Sequence, residues 1–149
     1  MDIITKLFDM DLSKIVPDMP VFLGFVRGLL VLAVLLGPIL LLTYGALYLF
    51  KPTPEANYKF GFRTYFGMGS IEAWQFSQRI AGLIFGGLGA ALLLIMFIVI
   101  LFFGGKDLFR IATTAIICLV CQLILVLLAR LAVAILAGMY FDKHGNRRK

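Results

Sequence analysis

Three long apolar runs alternate with short polar segments along this chain. Val21 to Phe50 holds a single charge, Arg27; Ile80 to Gly105 holds none; and Ile111 to Phe141 holds only Arg130. About 20 helical residues are enough to cross a hydrocarbon core of about 30 Å. The runs are solidly apolar and do not alternate as barrel strands do, so the pattern predicts an all-α integral membrane protein with three transmembrane helices.

The polar segments divide this single membrane domain further. At the start, Ile3, Leu7, Leu12 and Ile15 recur at helical spacing. This spacing predicts an amphipathic helix lying along the membrane surface, with a short soluble helix as the alternative. The predicted segments are an interfacial N-terminal segment at 1–20, spans at 21–50, 80–105 and 111–141, a loop and helix start at 51–79, and a basic tail at 142–149.

Composition and charge agree with a membrane location and predict an orientation. Hydrophobic residues make up 62% of the chain, the net charge is +6 and the mean hydropathy is +1.02. With three spans, one face carries Lys6, Lys14, Arg27, Lys106 and Arg110, and the other carries the larger set of Lys51, Lys59, Arg63, Arg79, Lys143, Arg147, Arg148 and Lys149. Basic flanks stay in the cytoplasm, which puts the loop and the C-terminus inside and the N-terminus outside. The charge suits membrane lipids as partners and requires no nucleic acid.

Residues for catalysis are scarce. His144, the single histidine, lies in the basic tail, where side chains are usually solvated. No carboxylate lies inside an apolar run; beyond the N-terminal segment the carboxylates are Glu55, Glu72, Asp107 and Asp142. These observations argue against an enzyme, a metal site, a bound cofactor and an ion-coupled transporter.

The segment between the first two apolar runs is polar and aromatic. Pro52 and Pro54 end the first helix, and the aromatic and turn-forming residues at 57–69 predict an ordered loop at the membrane interface. Ser70 is suited to cap the next helix, with Glu72 in its first turn. Arg63 is then placed either to pair with Glu72 or to bind an anion on a ligand.

Arg130 is the charge expected to lie deepest in the membrane. It precedes Phe141 by about 16 Å of helix, which puts it within the hydrocarbon unless the third helix projects into the cytoplasm. A charge at that depth costs several kcal/mol and faces the protein or a cavity. Arg130 therefore either snorkels or bonds to helix carbonyls or Gln122, or else it anchors an anionic group such as a lipid phosphate or a peptide carboxylate.

Small residues predict a close helix contact. Gly82, Gly86 and Ala90 recur at a spacing of four residues in the second run. Helix backbones approach closely at such positions, either within the chain or in a homo-oligomer. In the first run, Pro38 predicts a kink because it removes one backbone hydrogen bond.

Two motifs carry a resemblance to a known family. The first is N-Y-x-F-G-F-R-T at 57–64, followed by Trp74, Phe76 and Gly82, and the second is F-D-K-x-G-N-R-R at 141–148. With the three-span layout, these motifs make the chain similar to the SdpI (YfhL-type) family of bacterial membrane proteins. The resemblance implies a protein of the bacterial cytoplasmic membrane that gives immunity against a secreted toxic peptide. It also implies a regulator role, since the founding type is described as holding a transcriptional repressor at the membrane.

The residues and the resemblance together predict a binding protein. We predict ligand or partner contacts at Asn57, Gly61, Arg63, Thr64, Trp74 and Arg130, with Asn57 and Gly61 shaping the loop. The motif is equally consistent with a loop that only braces the helices. One alternative is an accessory subunit of a membrane complex, and another is a transporter or flippase whose polar path would use Arg130, Gln122, Thr113 and Thr114.

Overall fold

Three long α-helices make up the fold of the described residues. The computed structural model describes residues 19–54 and 61–148, in which the helices are α1 (Met19–Phe50), α2 (Ile71–Leu101) and α3 (Leu108–Tyr140), with no sheet. Each helix is long and apolar enough to cross a membrane. The prediction of an all-helical fold with three helices able to span a membrane is confirmed. The predicted N-terminal amphipathic helix lies outside the described residues.

The helix ends differ from the predicted spans by up to nine residues, with the largest difference at the start of α2. α2 begins at Ile71, well before the apolar run, because Ser70 adopts an extended conformation and its Oγ accepts a hydrogen bond from the backbone N–H of Ala73 at 3.1 Å. α2 ends at Leu101, and a turn closed by Gly105, whose φ is 70°, leads into α3. Ser70 thus caps the N-terminus of α2 and Glu72 lies in its first turn, as the sequence predicts.

The α1–α2 contact is the most extensive in the fold. A Cβ atom on Gly45 of α1 would collide with the backbone of Gly86, and one on Gly89 would lie 2.5 Å from the backbone nitrogen of Leu42. Ala90, by contrast, is exposed. Gly89 follows Gly82 by seven residues, which is almost two full helical turns, so both residues lie on nearly the same face of α2. Ala90, one residue later, is rotated away from that face. The small-residue face packs against the chain's own first helix, with Gly89 where Ala90 was expected.

A backbone carbonyl of α1 that has no helical donor is hydrogen-bonded to α3. Pro38 has no N–H to donate to the carbonyl of Val34, one helical turn earlier. The side-chain Nε2 of Gln122 on α3 donates to that carbonyl at 2.9 Å. Gln122, which was considered as a partner for Arg130, thus completes the hydrogen bonding of α1 instead.

The two ends of the bundle carry different polar groups. At one end, the Nη2 of Arg27 donates to the carbonyl of Lys106 at 3.0 Å, which fixes the α2–α3 turn to α1. Arg130 lies about 30 Å along α3 from Arg110, close to the thickness of a hydrocarbon core. This puts Arg130 toward the opposite end of the bundle, about 15 Å of helix before Tyr140 at the end of α3. We call that second end, which carries the loop at 61–70, the motif end.

Candidate functional site

The loop at the motif end is built on Trp74 of α2. Trp74 is fully buried, and its Nε1 donates to the carbonyl of Thr53 at 3.0 Å and to its Oγ1 at 3.2 Å. Gly61 lies over the indole with φ of 123°, and a Cβ there would be 2.5 Å from the Trp74 Cζ2. Glycine meets both demands, because it accepts a positive φ and leaves room for the ring.

The next residue of the loop is held by a side-chain amide. The backbone N–H of Phe62 donates to Gln78 Oε1 at 2.8 Å, and Gln78 Nε2 donates back to the Phe62 carbonyl at 2.8 Å. This two-point contact turns the Phe62 ring into the helix bundle. There it packs edge-on against Phe85 at 5.2 Å and lies 6.4 Å from Tyr48.

Two further contacts secure the rest of the loop. The Oγ1 of Thr64 accepts a hydrogen bond from the backbone N–H of Gly67 at 2.9 Å and lies 3.5 Å from Ser77 Oγ. Phe66 covers Gly138 of α3, where an added Cβ would come within 2.8 Å of its ring. The described loop residues are therefore anchored to both α2 and α3.

Arg63 and Arg130 line one cavity beside this loop, which we call the arginine cavity. Its volume is about 400 Å³, and its lining consists of Leu41, Tyr48, Gly61, Phe62, Arg63, Phe85, Val126 and Arg130. The guanidinium carbon of Arg130 lies 6.0 Å from the centre of the Phe62 ring, at the outer limit of a cation–π contact. Both arginines are exposed, and no carboxylate occurs in the described part of the lining.

The C-terminal residues also belong to the motif end. The sequence suggested a solvated basic tail, but residues 141–148 form a compact turn. The Asp142 carboxylate accepts backbone N–H groups from His144 at 2.9 Å and from Asn146 at 2.8 Å, and Gly145 adopts φ of 77°. The same hydrogen bonds lower the pKa of Asp142 below its ordinary value of 3.8.

This C-terminal turn docks on the start of α2. The Ser70 hydroxyl, which already caps α2, donates to the carbonyl of Gly145 at 2.7 Å. The exposed guanidinium of Arg147 lies 4.0 Å from the Glu72 carboxylate. Glu72, which was considered as a partner for Arg63, is thus at the C-terminal turn rather than at the arginine cavity.

The predicted site residues separate into two groups. Gly61, Arg63 and Arg130 meet at the arginine cavity. Trp74 and Thr64 are buried with their polar atoms bonded inside the protein, so they brace the loop and do not face a ligand. Asn57 lies outside the described residues.

Sequence reasoning missed Gln78, which holds Phe62. A polar amide one helical turn after Trp74, at the edge of an apolar run, was the available signal. An amide there predicts a buried hydrogen bond, because an unpaired one is costly beside lipid.

The arrangement is suited to binding. Two guanidiniums attract an anionic group, and the neighbouring aromatic and aliphatic side chains accept an apolar group next to that charge. This combination matches an amphipathic molecule better than a small, fully hydrated ion.

Comparison with known proteins identifies a family. The model of the SdpI/YfhL protein family matches residues 55–140, which include the described loop, α2 and α3. No curated protein and no solved structure matches the chain.

Proposed function

The chain belongs to the SdpI/YfhL family, and from this premise we propose that it is a bacterial membrane immunity protein that binds a secreted toxic peptide. The resemblance at 57–64 and 141–148 supports the immunity role. The observation that carries the binding role is that Arg63 and Arg130, distant in sequence, line one cavity with the Phe62 ring. In this proposal the protein binds its ligand and performs no catalysis.

The chemistry of the arginine cavity indicates which part of a peptide it takes. A carboxylate, either the peptide's C-terminus or an acidic side chain, would accept charge-assisted hydrogen bonds from the guanidiniums. Such bonds contribute about 1.5–3 kcal/mol each. An adjacent apolar side chain of the peptide would contact Phe62, Phe85 and Leu41, which line the same cavity.

The charge distribution supports an orientation for this site. Exposed Lys51, Arg63, Arg79, Arg147 and Arg148 all lie at the motif end, and basic flanks are retained on the cytoplasmic side. We place the motif end in the cytoplasm, where Arg130 meets a peptide already inserted in the bilayer. The same face would hold a transcriptional regulator, as the family resemblance implies.

Of the four polar residues that a transport path would use, all but Arg130 form hydrogen bonds inside the fold. Thr113 and Thr114 donate to carbonyls of their own helix, at 2.9 and 2.8 Å, and Gln122 donates to Val34. A transporter would need such groups to face a continuous path. This arrangement favours binding over transport.

The accessory-subunit alternative would use the small-residue face of α2 and the loop as its contact surfaces. Gly82, Gly86 and Gly89 instead contact α1 of the same chain, so that face has no space for a partner helix. Immunity thus remains the function that the site supports best.

A survival assay tests the proposal. A sensitive bacterial host expressing the chain is exposed to a panel of membrane-active peptides, and the inhibitory concentration is compared for wild type, Arg63→Gln and Arg130→Gln at equal membrane levels. We expect wild type to raise the inhibitory concentration of at least one peptide and both substitutions to remove most of that protection. Arg110→Gln, an exposed arginine at the opposite end, is the matched control and should protect like wild type.

Two outcomes would contradict the proposal. One is a well-inserted wild-type protein that protects against no peptide of the panel. The other is protection that both substitutions leave intact, which would separate immunity from the arginine cavity.

A further inference from the structure

A second and larger cavity lies at the motif end, on a different side of α2. Its volume is about 690 Å³, within the range of ligand sites. It is bounded by the end of α1, the first turns of α2 and the C-terminal turn. We call it the interfacial groove, because its walls are the ends of membrane-spanning helices.

The lining of the groove combines apolar surface with both signs of charge. Glu72, Phe76 and Arg79 follow one another at helical spacing, so they form one stripe of α2 along the groove. Tyr48 and Tyr140 lie on the other walls. Tyrosine is typical of the depth at which lipid headgroups meet the hydrocarbon.

The charges of this stripe are separated along the helix. Two turns, or about 10 Å, lie between Glu72 and Arg79. Arg147 of the C-terminal turn adds a second guanidinium beside Glu72. The side chains of Arg147 and Glu72 are 68% and 66% exposed, so their ion pair contributes little to stability. A ligand can therefore replace either partner at little cost.

We propose that the interfacial groove binds the headgroup of a zwitterionic glycerophospholipid with a primary amine, that is, a phosphoethanolamine lipid. Its phosphate is complementary to the guanidiniums of Arg79 and Arg147. Its ammonium group is complementary to Glu72, the one carboxylate in the described lining. A purely anionic headgroup would place unpaired negative charge beside Glu72, and a choline headgroup could not donate a hydrogen bond to it.

The position of the groove favours a membrane lipid over a soluble ligand. Phe76 lies 5.1 Å from the Tyr140 ring and 5.4 Å from the Phe141 ring, so the floor is aromatic where the bilayer interface is expected. Glycerol and the first acyl carbons would rest on this floor. The C-terminal turn, which begins where the family match ends at residue 140, supplies one wall.

Native mass spectrometry of the full-length protein tests the lipid site. The protein is held in mixed micelles with equal amounts of phosphatidylethanolamine, phosphatidylglycerol and phosphatidylcholine, and the lipids retained on it are counted. We expect phosphatidylethanolamine to be retained at least about fivefold over either competitor. Glu72→Gln should remove the preference for the amine, Arg79→Gln should lower retention of all three lipids, and Arg110→Gln should change nothing.

The controls separate this site from folding and from the arginine cavity. Fluorescence of Trp74, the single tryptophan, reports that each variant is folded. Arg130→Gln should leave the lipid preference unchanged, so failure of the immunity proposal does not affect this result. Equal retention of the three lipids by wild type, an unchanged preference in Glu72→Gln, or displacement of the lipid by equimolar soluble glycerophosphoethanolamine would each overturn the proposal.

Discussion

Gln122 of α3 donates its side-chain Nε2 to the backbone carbonyl of Val34 in α1, at 2.9 Å. That carbonyl lacks its helical donor because the residue one turn later is Pro38. Both Val34 and Gln122 are buried, and Pro38 is among the fully buried side chains. Pro38 removes a backbone hydrogen bond from α1, and the carbonyl that it leaves without a donor forms a contact with α3.

The hydrogen bond between Gln122 and Val34 predicts that the effects of substituting Gln122 and Pro38 on the free energy of unfolding are not additive. Gln122→Leu should lower the free energy of unfolding by about 0.5–2 kcal/mol, because the Val34 carbonyl then has no donor within the membrane. In a Pro38→Ala background the same substitution should cost less, since residue 38 then supplies the missing N–H. Unfolding in mixed micelles, followed by Trp74 fluorescence, measures all four proteins. Equal costs of Gln122→Leu in the two backgrounds would refute the coupling.

The loop predicts a difference between two glycine substitutions. Gly61→Ala should destabilise the protein by about 1–3 kcal/mol, because alanine resists the φ of 123° and its Cβ would press on Trp74. It should also shift Trp74 emission to longer wavelength as the indole becomes exposed. Emission spectra and unfolding curves in micelles measure both effects.

Gly87→Ala is the matched control for that substitution. Gly87 lies in α2 with no neighbouring atom within 4 Å of an added Cβ, so alanine should be neutral or add up to about 1 kcal/mol of stability. If Gly61→Ala behaved like Gly87→Ala, Gly61 would not be the tight position that the structure indicates.

Much of the fold follows from the sequence because hydropathy alone decides it. Apolar runs of this length have only one way to satisfy their backbone in lipid, so three helices were predictable. Ser70 and Glu72 also start α2 as predicted, since capping is a local interaction. Ala90 was predicted in the helix contact, but Gly89 occupies that place, because α1 packs along the face of α2 that contains Gly89. The position of α1 cannot be inferred from the spacing of small residues alone.

The candidate site was predictable in its residue types but not in its geometry. Arg130 stood out because a charge inside an apolar run is costly, and Arg63 because it lies among aromatic residues close to the acidic start of α2. Their common cavity depends on how Gln78 turns Phe62 inward, through backbone groups that carry no sequence signal. The ordered C-terminal turn was missed because basic composition suggested a solvated tail, while the Asp142 hydrogen bonds determine its shape.

The Asp142 carboxylate predicts how the C-terminal turn responds to pH. Hydrogen bonds from Asn146 and His144 lower its pKa below 3.8, so their contribution to stability is present above pH 3.8 and is lost as the pH falls through the lowered pKa. We expect the turn to remain closed at neutral pH and to open only in stronger acid. Amide resonances of Gly145 and Asn146 in micelles measure this opening.

Asp142→Asn is the control for the pH response. It keeps the shape of the side chain but removes its titration, so the turn should lose its acid transition and be looser at neutral pH. A transition of the same midpoint in Asp142→Asn would assign the response to another group.

The central claim is that Arg63 and Arg130 together bind the anionic group of a toxic peptide, and a binding cycle in bilayer nanodiscs tests it most directly. The dissociation constant of a peptide against which the protein protects is measured for the native peptide and for a form whose carboxylates are all blocked as amides. We expect wild type to bind the blocked form at least about tenfold more weakly, a loss of about 1.4 kcal/mol, and the Arg63→Gln/Arg130→Gln double variant to bind both forms equally weakly. Equal binding of the two forms by wild type, or an undiminished difference in the double variant, would contradict the account.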